Sequence, residues 1–267
     1  MSRYQLQWYE LTKKPGADWF VKVPLCDVYS PIINAAFPDL KHIGWRKTTK
    51  SACYTYLKNA TEGPVEKLRS LLDLLKSTWV LRLNKTIEKH FSDELDQCFA
   101  LDFNFRDAES HTYTGIGQLE YAAKYQRDKG SIDKLAELLA DVCRSHPNLA
   151  TVDVIASIPG NPRKQFHLPD ELVQRMGKYL DRPMGLDLRK RTQTPALKNL
   201  PLARKLKALD EAFELGDDIS GRSVLLVDDL YQSGTTMWSL ARFLKGKGAS
   251  HVFGLACVKS WRDSDNL

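Results

Sequence analysis

The sequence has no apolar run approaching the roughly 20 residues that cross a bilayer. Its opening, Met1 to Trp8, lacks a basic stretch followed by an apolar core and a small-residue cleavage site. Neither membrane insertion nor secretion is expected, and the chain is expected in the cytoplasm. Cysteine is scarce: Cys26, Cys53, Cys98, Cys143 and Cys257 are odd in number and far apart, which excludes a disulfide framework and any pair with zinc-ligand spacing. These cysteines suit small buried apolar positions. Histidine is equally sparse, six in all, with none at helical metal-site spacing. Asn59-Ala60-Thr61 and Asn84-Lys85-Thr86 have the form of glycosylation acceptors but carry no meaning without a secretion signal.

The 267 residues suffice for one large α/β domain, or a domain of about 150 residues with a sizeable extension. The net charge of +6 suggests an anionic partner, and its distribution is more informative. From Arg189 to Lys207 there are seven cations, Arg189, Lys190, Arg191, Lys198, Arg204, Lys205 and Lys207, and no acid. That stretch reads as a mobile loop over an anion, a solvated helix face or a nucleic-acid patch; it has no aromatics to stack exposed bases.

The first sixty residues are rich in aromatics and turns, with strand alternation at Trp19-Phe20-Val21-Lys22-Val23. From Gly63-Pro64 an apolar stripe, Val65 to Leu83, predicts an amphipathic helix to about His90, suited to packing against a neighbour or a second subunit. A strand is expected over 99–105, a short helix from Thr114-Gly115-Ile116-Gly117 through Lys124 and Tyr125, and a helix over 131–145. Strands and helices then alternate: strands at 152–158, 184–188, 223–227 and 251–258, helices at 168–180 and 236–247. This order predicts a mainly parallel sheet with ligands at the carboxyl ends of its strands, which the segments 159–167, 189–212 and 228–236 would leave. Gly216 to Ser223 has P-loop spacing, but arginine replaces the lysine and the segment precedes a strand, so it reads as a turn.

The apolar strand Val224-Leu225-Leu226-Val227 runs into Asp228-Asp229-Leu230-Tyr231-Gln232 and then Ser233-Gly234-Thr235-Thr236 at a helix start. Glycine allows a tight turn, backbone N–H groups and hydroxyls donate, and the helix dipole favours an anion. The acid pair would repel a phosphate but suits vicinal ribose hydroxyls, which are donors. A phosphorylated ribose satisfies both halves.

These thirteen residues resemble the phosphoribosyl-pyrophosphate signature of type I phosphoribosyltransferases, with Tyr231 and Gln232 where the family has an aliphatic and a small residue. Gly117 to Tyr125, Ile158-Pro159-Gly160-Asn161-Pro162 and Leu188-Arg189-Lys190-Arg191 with Thr194-Pro195 and Leu200 resemble the ComF-like branch, related to competence-associated amidophosphoribosyltransferases. Leu197 stands at that branch's usual mobile-loop glutamine, and its amino-terminal zinc-binding cysteines are absent. The resemblance implies an α/β type I phosphoribosyltransferase fold, a twisted, mainly parallel sheet flanked by helices, over 99–267. Residues 1–98 would be an α+β extension, partly helical and of unknown function.

It further implies that Asp228 and Asp229 serve as the catalytic acids holding the ribose hydroxyls, and that Ser233, Gly234, Thr235 and Thr236 hold the 5′-phosphate. Ser157, Pro159, Gly160 and Asn161 would hold pyrophosphate, and Arg189, Lys190 and Arg191 would close over it. Mg2+ would bind mainly through the ligand, with Asp228 and Asp229 as protein ligands. Trp261 could stack on a base or pack the carboxy terminus. The implied activity is magnesium-dependent transfer of phosphoribosyl between phosphoribosyl pyrophosphate or a nucleotide and a nitrogenous base or amine. The alternatives are a non-catalytic phosphoribosyl-pyrophosphate or nucleotide sensor and a defence-type effector. A homodimer, or a protein or nucleic-acid partner engaged through 1–98, fits each of these.

Overall fold

The computed structural model describes residues 3–14, 18–48, 50–83, 85–109, 111–162, 164–191 and 200–261. Thr194, Pro195, Leu197, Lys198 and Asn84, singled out above, lie outside the described residues. The chain divides into two compact units: residues 4–80 with 142–151, and residues 1–3, 81–141 and 152–267.

Its elements begin with the short β1 (Arg3–Tyr4), β2 (Glu10–Lys13), β3 (Trp19–Val23), α1 (Cys26–Ala36), β4 (Arg46–Lys47), β5 (Cys53–Leu57) and α2 (Glu62–Ser77). In the smaller unit the strands pair antiparallel in the order β2-β3-β5-β4. Strict alternation along β3 and β5 puts Trp19, Val21, Val23, Cys53, Thr55 and Leu57 inside. The α2 stripe buries Val65, Leu68, Leu71, Leu72, Leu74 and Leu75, as its spacing predicts. The helix stops at Ser77, well short of residue 90. The hydroxyls of Ser77 and Thr78 both donate to the Leu74 carbonyl, at 2.9 and 2.8 Å, and the chain turns extended into β6 (Trp79–Leu81) and then α3 (Lys85–Glu88).

The larger unit continues with β7 (Gln97–Phe103), α4 (Gly115–Tyr121) running into a π-helical turn at Ala122–Gln126, α5 (Lys129–Ser145), whose residues from 142 on are assigned to the smaller unit, and β8 (Val154–Ser157). There follow α6 (Leu168–Met176), β9 (Leu188–Lys190), α7 (Leu202–Asp210), β10 (Phe213–Leu215), β11 (Ser223–Tyr231), α8 (Thr235–Gly246) and β12 (His251–Lys259). Its four main strands are parallel, in the order β8-β11-β12-β7. Val224 to Val227 and Val252 to Val258 are buried throughout, which is why both segments read as apolar runs and not as alternating ones. The α/β class with a parallel sheet flanked by helices is therefore as expected.

Three expectations change. The boundary placed at residue 98 differs from the geometric division: Leu83 and Ile87 pack with Leu202, Leu206 and Trp238, so the segment before β7 belongs to the larger unit. The strand expected over 184–188 is absent from the parallel sheet. Pro183 has no N–H, Gly185 takes a left-handed φ of 79°, and only Met184 bridges to Ile155. The chain instead pairs Leu188–Lys190 antiparallel with Phe213–Leu215, so Arg189 and Lys190 sit in a two-stranded ribbon and not in a loop leaving a parallel strand. Finally, α6 ends at Met176, where residue 180 was expected.

Gly117 ties α4 to the end of β7. Thr114 caps the helix, its hydroxyl accepting from Gly117 N–H at 2.9 Å and donating to the Phe103 carbonyl at 2.5 Å. A Cβ on Gly117 would lie 1.9 Å from the Asn104 carbonyl oxygen, whereas one on Gly115 meets nothing within 4 Å. Gly117→Ala is expected to cost about 2–4 kcal/mol through forced backbone shifts. Gly115→Ala should be neutral or slightly stabilising; urea unfolding of the two variants checks both.

Candidate functional site

The sheet register assembles the site. Val227 of β11 lies beside Ser157 of β8, so Asp228 and Asp229 leave the apolar core next to the loop that begins at Ser157. The sequence placed the acid pair in a loop; it lies instead among the last residues of strand β11, which stays paired with β12 as far as Tyr231. After it Gly234, at φ 87°, starts α8. A side chain at 234 would put its Cβ 2.0 Å from the Tyr231 hydroxyl oxygen, so both the backbone angle and the space demand glycine. Ser233 and Thr235 are buried, with their hydroxyls 3.0 Å apart. Beneath the loop the buried Lys259 donates to the Gln232 carbonyl at 2.8 Å and to the Ser260 carbonyl.

An ion cluster backs the acid pair. Lys124 Nζ is 2.8 Å from Asp229 Oδ2 and 3.3 Å from Glu120 Oε1, and Glu120 is buried. Glu120 lies on α4 and Lys124 in the π-helical turn, a local widening that often marks functional positions. Burial by itself would depress the Lys124 ammonium, but Asp229 and Glu120 together outweigh it and hold the group above its ordinary value. Burial raises Glu120 above the usual carboxylate range, with Lys124 opposing. Burial and the charge of Asp229 push Asp228 well above that range.

A cleft of about 550 Å³ adjoins the start of the Ser157 loop. Ser157, Pro159 and Gly160 line it together with Arg189, Lys190 and Arg191, so two segments assigned from sequence to the same anion face one another. The Ser157 hydroxyl donates to Asp170, whose other oxygen is 3.0 Å from His167 Nδ1. The His167 ring fills the space a Cβ on Gly160 would need. Arg189 and Arg191 are also paired with Asp187, at 2.6 Å, and Glu214, at 2.9 Å. Burial and the neighbouring Lys205 lower the Lys190 ammonium below its usual value. Asn161 is exposed at the loop tip.

Trp261 stacks on Phe103, centroids 4.5 Å apart, and gives its indole N–H to the Phe105 carbonyl at 2.7 Å; of its two sequence readings, packing is the one its contacts match. Sequence reasoning missed Glu120, Lys259 and the His167–Asp170 pair and gave Lys124 no role. The signals were thin: an acid and a lysine four apart after Gly117, and one lysine ending an apolar strand. Among the described residues no group of three or more His, Cys, Asp or Glu could hold a metal, and no helix is long and apolar enough to cross a membrane.

Residues 170–263 match the phosphoribosyl transferase domain family. A curated relative, the ribose-phosphate pyrophosphokinase of Vibrio parahaemolyticus serotype O3:K6, is 31% identical over 115 residues, which is 38% of this chain and 37% of that protein. The chain thus matches little more than a third of that relative's length. Among solved structures, a hypoxanthine phosphoribosyltransferase from Staphylococcus aureus aligns over 52% of this chain and 71% of its own at 13% identity, with a TM-score of 0.33. A hypoxanthine-guanine phosphoribosyltransferase from Bacillus anthracis aligns over 49% and 70% at 12% identity, with a TM-score of 0.34. The family match covers β11, the hydroxyl-glycine loop, α8 and β12, and with the parallel sheet it places this unit in the type I phosphoribosyltransferase fold.

Because Asp228 is raised in the native state, the folded protein keeps a proton that the unfolded chain gives up once pH passes the ordinary carboxylate range. Stability therefore falls as pH climbs from there toward the raised value. Asp228→Asn should remove that slope and raise stability at neutral pH by about 1–2 kcal/mol, a few degrees in Tm. Lys124→Met should do the opposite. Glu120 and Asp229 lose their shared cation, at a cost of about 2 kcal/mol at pH 7 that shrinks as the medium is acidified and Glu120, already raised by burial, takes up a proton. Thermal unfolding between pH 4 and 8 tests both.

Proposed function

We propose that the chain is a phosphoribosyltransferase of the ComF-like kind. It takes phosphoribosyl pyrophosphate, or a nucleotide in the reverse direction, with a nitrogenous base or amine as the other substrate. The observation that carries this reading is the meeting, at the end of one buried strand, of an acid pair with a hydroxyl-glycine helix start. The carboxyl oxygens of Asp228 and Asp229 accept from the ribose 2′- and 3′-hydroxyls. The backbone N–H groups and hydroxyls of Ser233 to Thr236 hold the 5′-phosphate. The loop from Ser157 to Asn161 holds the pyrophosphate, with Arg189, Lys190 and Arg191 facing it across the cleft.

The reaction is a displacement at C1′. The C1′–O bond breaks with its electron pair leaving on pyrophosphate, while a nitrogen lone pair forms the new bond. The transition state has oxocarbenium character, so the protein's contribution is to stabilise departing negative charge and exclude water. Lys124 lowers the net charge of the acid pair, which allows a phosphate dianion to sit beside it. An acid pair with no third ligating side chain among the described residues fits a magnesium ion that is carried largely by the ligand's own oxygens, with Asp228 and Asp229 as the residues to hold it. Bound there, magnesium would neutralise part of the leaving group's charge.

Thermal stabilisation by phosphoribosyl pyrophosphate with magnesium, beside a panel of nucleoside monophosphates, tests the reading. A ligand at about a hundred times its Kd should add about 2.7 kcal/mol of stability. Asp229→Asn should abolish turnover and weaken ligand stabilisation while leaving the fold intact. Stabilisation with no product under any base or amine would identify a sensor, and no stabilisation by any ligand would refute the assignment.

A further inference from the structure

The sheet of the smaller unit has an outer face of unusual chemistry. The alternation that buries Trp19, Val21 and Val23 turns Phe20 and Lys22 outward, and likewise Tyr54 and Tyr56 on β5. Cross-strand register sets Thr12, Phe20 and Tyr56 in one row and Glu10, Lys22, Tyr54 and Arg46 in the next. The three rings form one cluster: Phe20 is 5.6 Å from Tyr54 and 5.3 Å from Tyr56, and the tyrosines are 6.2 Å apart. All three are half-buried.

Cations border the rings. Lys14 Nζ lies 4.8 Å from the Phe20 centroid, and Lys22 Nζ lies 5.8 Å from that of Trp8, itself 43% exposed. The acid on this face, Glu10, is already paired with Lys14 at 3.3 Å. The surrounding chain has the same sign: from Lys41 to Lys58 there are five cations and no acid, and residues 4–80 carry eleven lysines and arginines against seven acids.

We infer that this face binds a single-stranded polynucleotide, with bases stacking on Phe20, Tyr54 and Tyr56 and phosphates meeting Lys14, Lys22 and Arg46. Side-by-side aromatics on an open sheet flanked by cations provide what an unpaired strand offers, flat π-faces and a regular line of negative charge. A duplex keeps its bases stacked internally and would leave the rings unused. A second copy of this chain fits worse, because two such faces brought together would oppose cation to cation. The inference is independent of the phosphoribosyltransferase reading, which rests on other residues.

The test is fluorescence anisotropy of the full chain with labelled oligo-dT and oligo-U of about 20 nucleotides and a duplex of equal length. Single strands should bind at least tenfold more tightly than the duplex. Phe20→Ala and Tyr54→Ala should each weaken them by about five- to a hundredfold. Lys14→Ala and Lys22→Ala should each reduce the slope of log affinity against log salt by about 0.7. Tyr54→Phe, which keeps the ring, should bind as the wild type does; should an alanine variant fail to fold by circular dichroism, the lysine variants and Tyr54→Phe decide. A preference for U over T strands would assign RNA, the reverse DNA. The inference is overturned by the absence of saturable binding, by equal affinity for duplex, or by binding unchanged in these variants but lost in Arg189→Ala/Lys190→Ala/Arg191→Ala. Light scattering showing a dimer that Tyr54→Ala dissolves would equally overturn it.

Discussion

Two adjacent carboxylates at the end of a buried strand repel one another and repel any phosphate drawn to the N–H groups of the loop that follows. The ammonium of Lys124, 2.8 Å from Asp229 and 3.3 Å from Glu120, is the contact on which that arrangement rests. It is held by a chain of causes that begins well away from the site. Gly117 lets α4 approach the Asn104 carbonyl, Thr114 pins the helix start to the end of β7, and the π-helical turn then carries Lys124 to the acid pair. Asp228, given no cation of its own among the contacts described, is raised by burial and by its neighbour, so the pair carries less charge than its sequence suggests.

The same logic of compensation runs through the rest of the site. Lys259 is a buried cation beside the loop after β11, and its ammonium is taken up by backbone carbonyls at Gln232 and Ser260. Arg189 and Arg191 line the cleft while paired with Asp187 and Glu214, in exposed ion pairs that hold weakly and not in buried ones. Asp170 bridges Ser157 and His167 and braces the loop opposite. In the smaller unit the cations are arranged differently, spread beside aromatic rings on a sheet face.

The parallel sheet was legible from residues 152, 223 and 251 onward because strands buried on both faces leave continuous apolar runs. The hydroxyl-glycine loop was legible because its chemistry is contiguous. The segment around 184–190 was misread because Pro183 and Gly185 defeat an apolar run that otherwise resembles a strand, and the pairing partner, Phe213–Leu215, lies more than twenty residues on. The stripe of α2 continued in sequence beyond the helix because Trp79-Val80-Leu81 is as apolar as the turns before it, while two hydroxyls at 77 and 78 ended the helix locally.

By itself the sequence determined the fold class and the hydroxyl-glycine loop at the end of β11, since both depend on neighbours in the chain: periodicity, a glycine at a turn, hydroxyls at a helix start. Only the tertiary structure decided that Lys124 and Glu120 back Asp229, that Lys259 underlies the loop, and that the Ser157 loop faces Arg189 to Arg191. It also brought Phe20, Tyr54 and Tyr56 onto one face. Each of these joins residues far apart in the chain through sheet register and close helix approach, and charge is felt through space, not along the sequence.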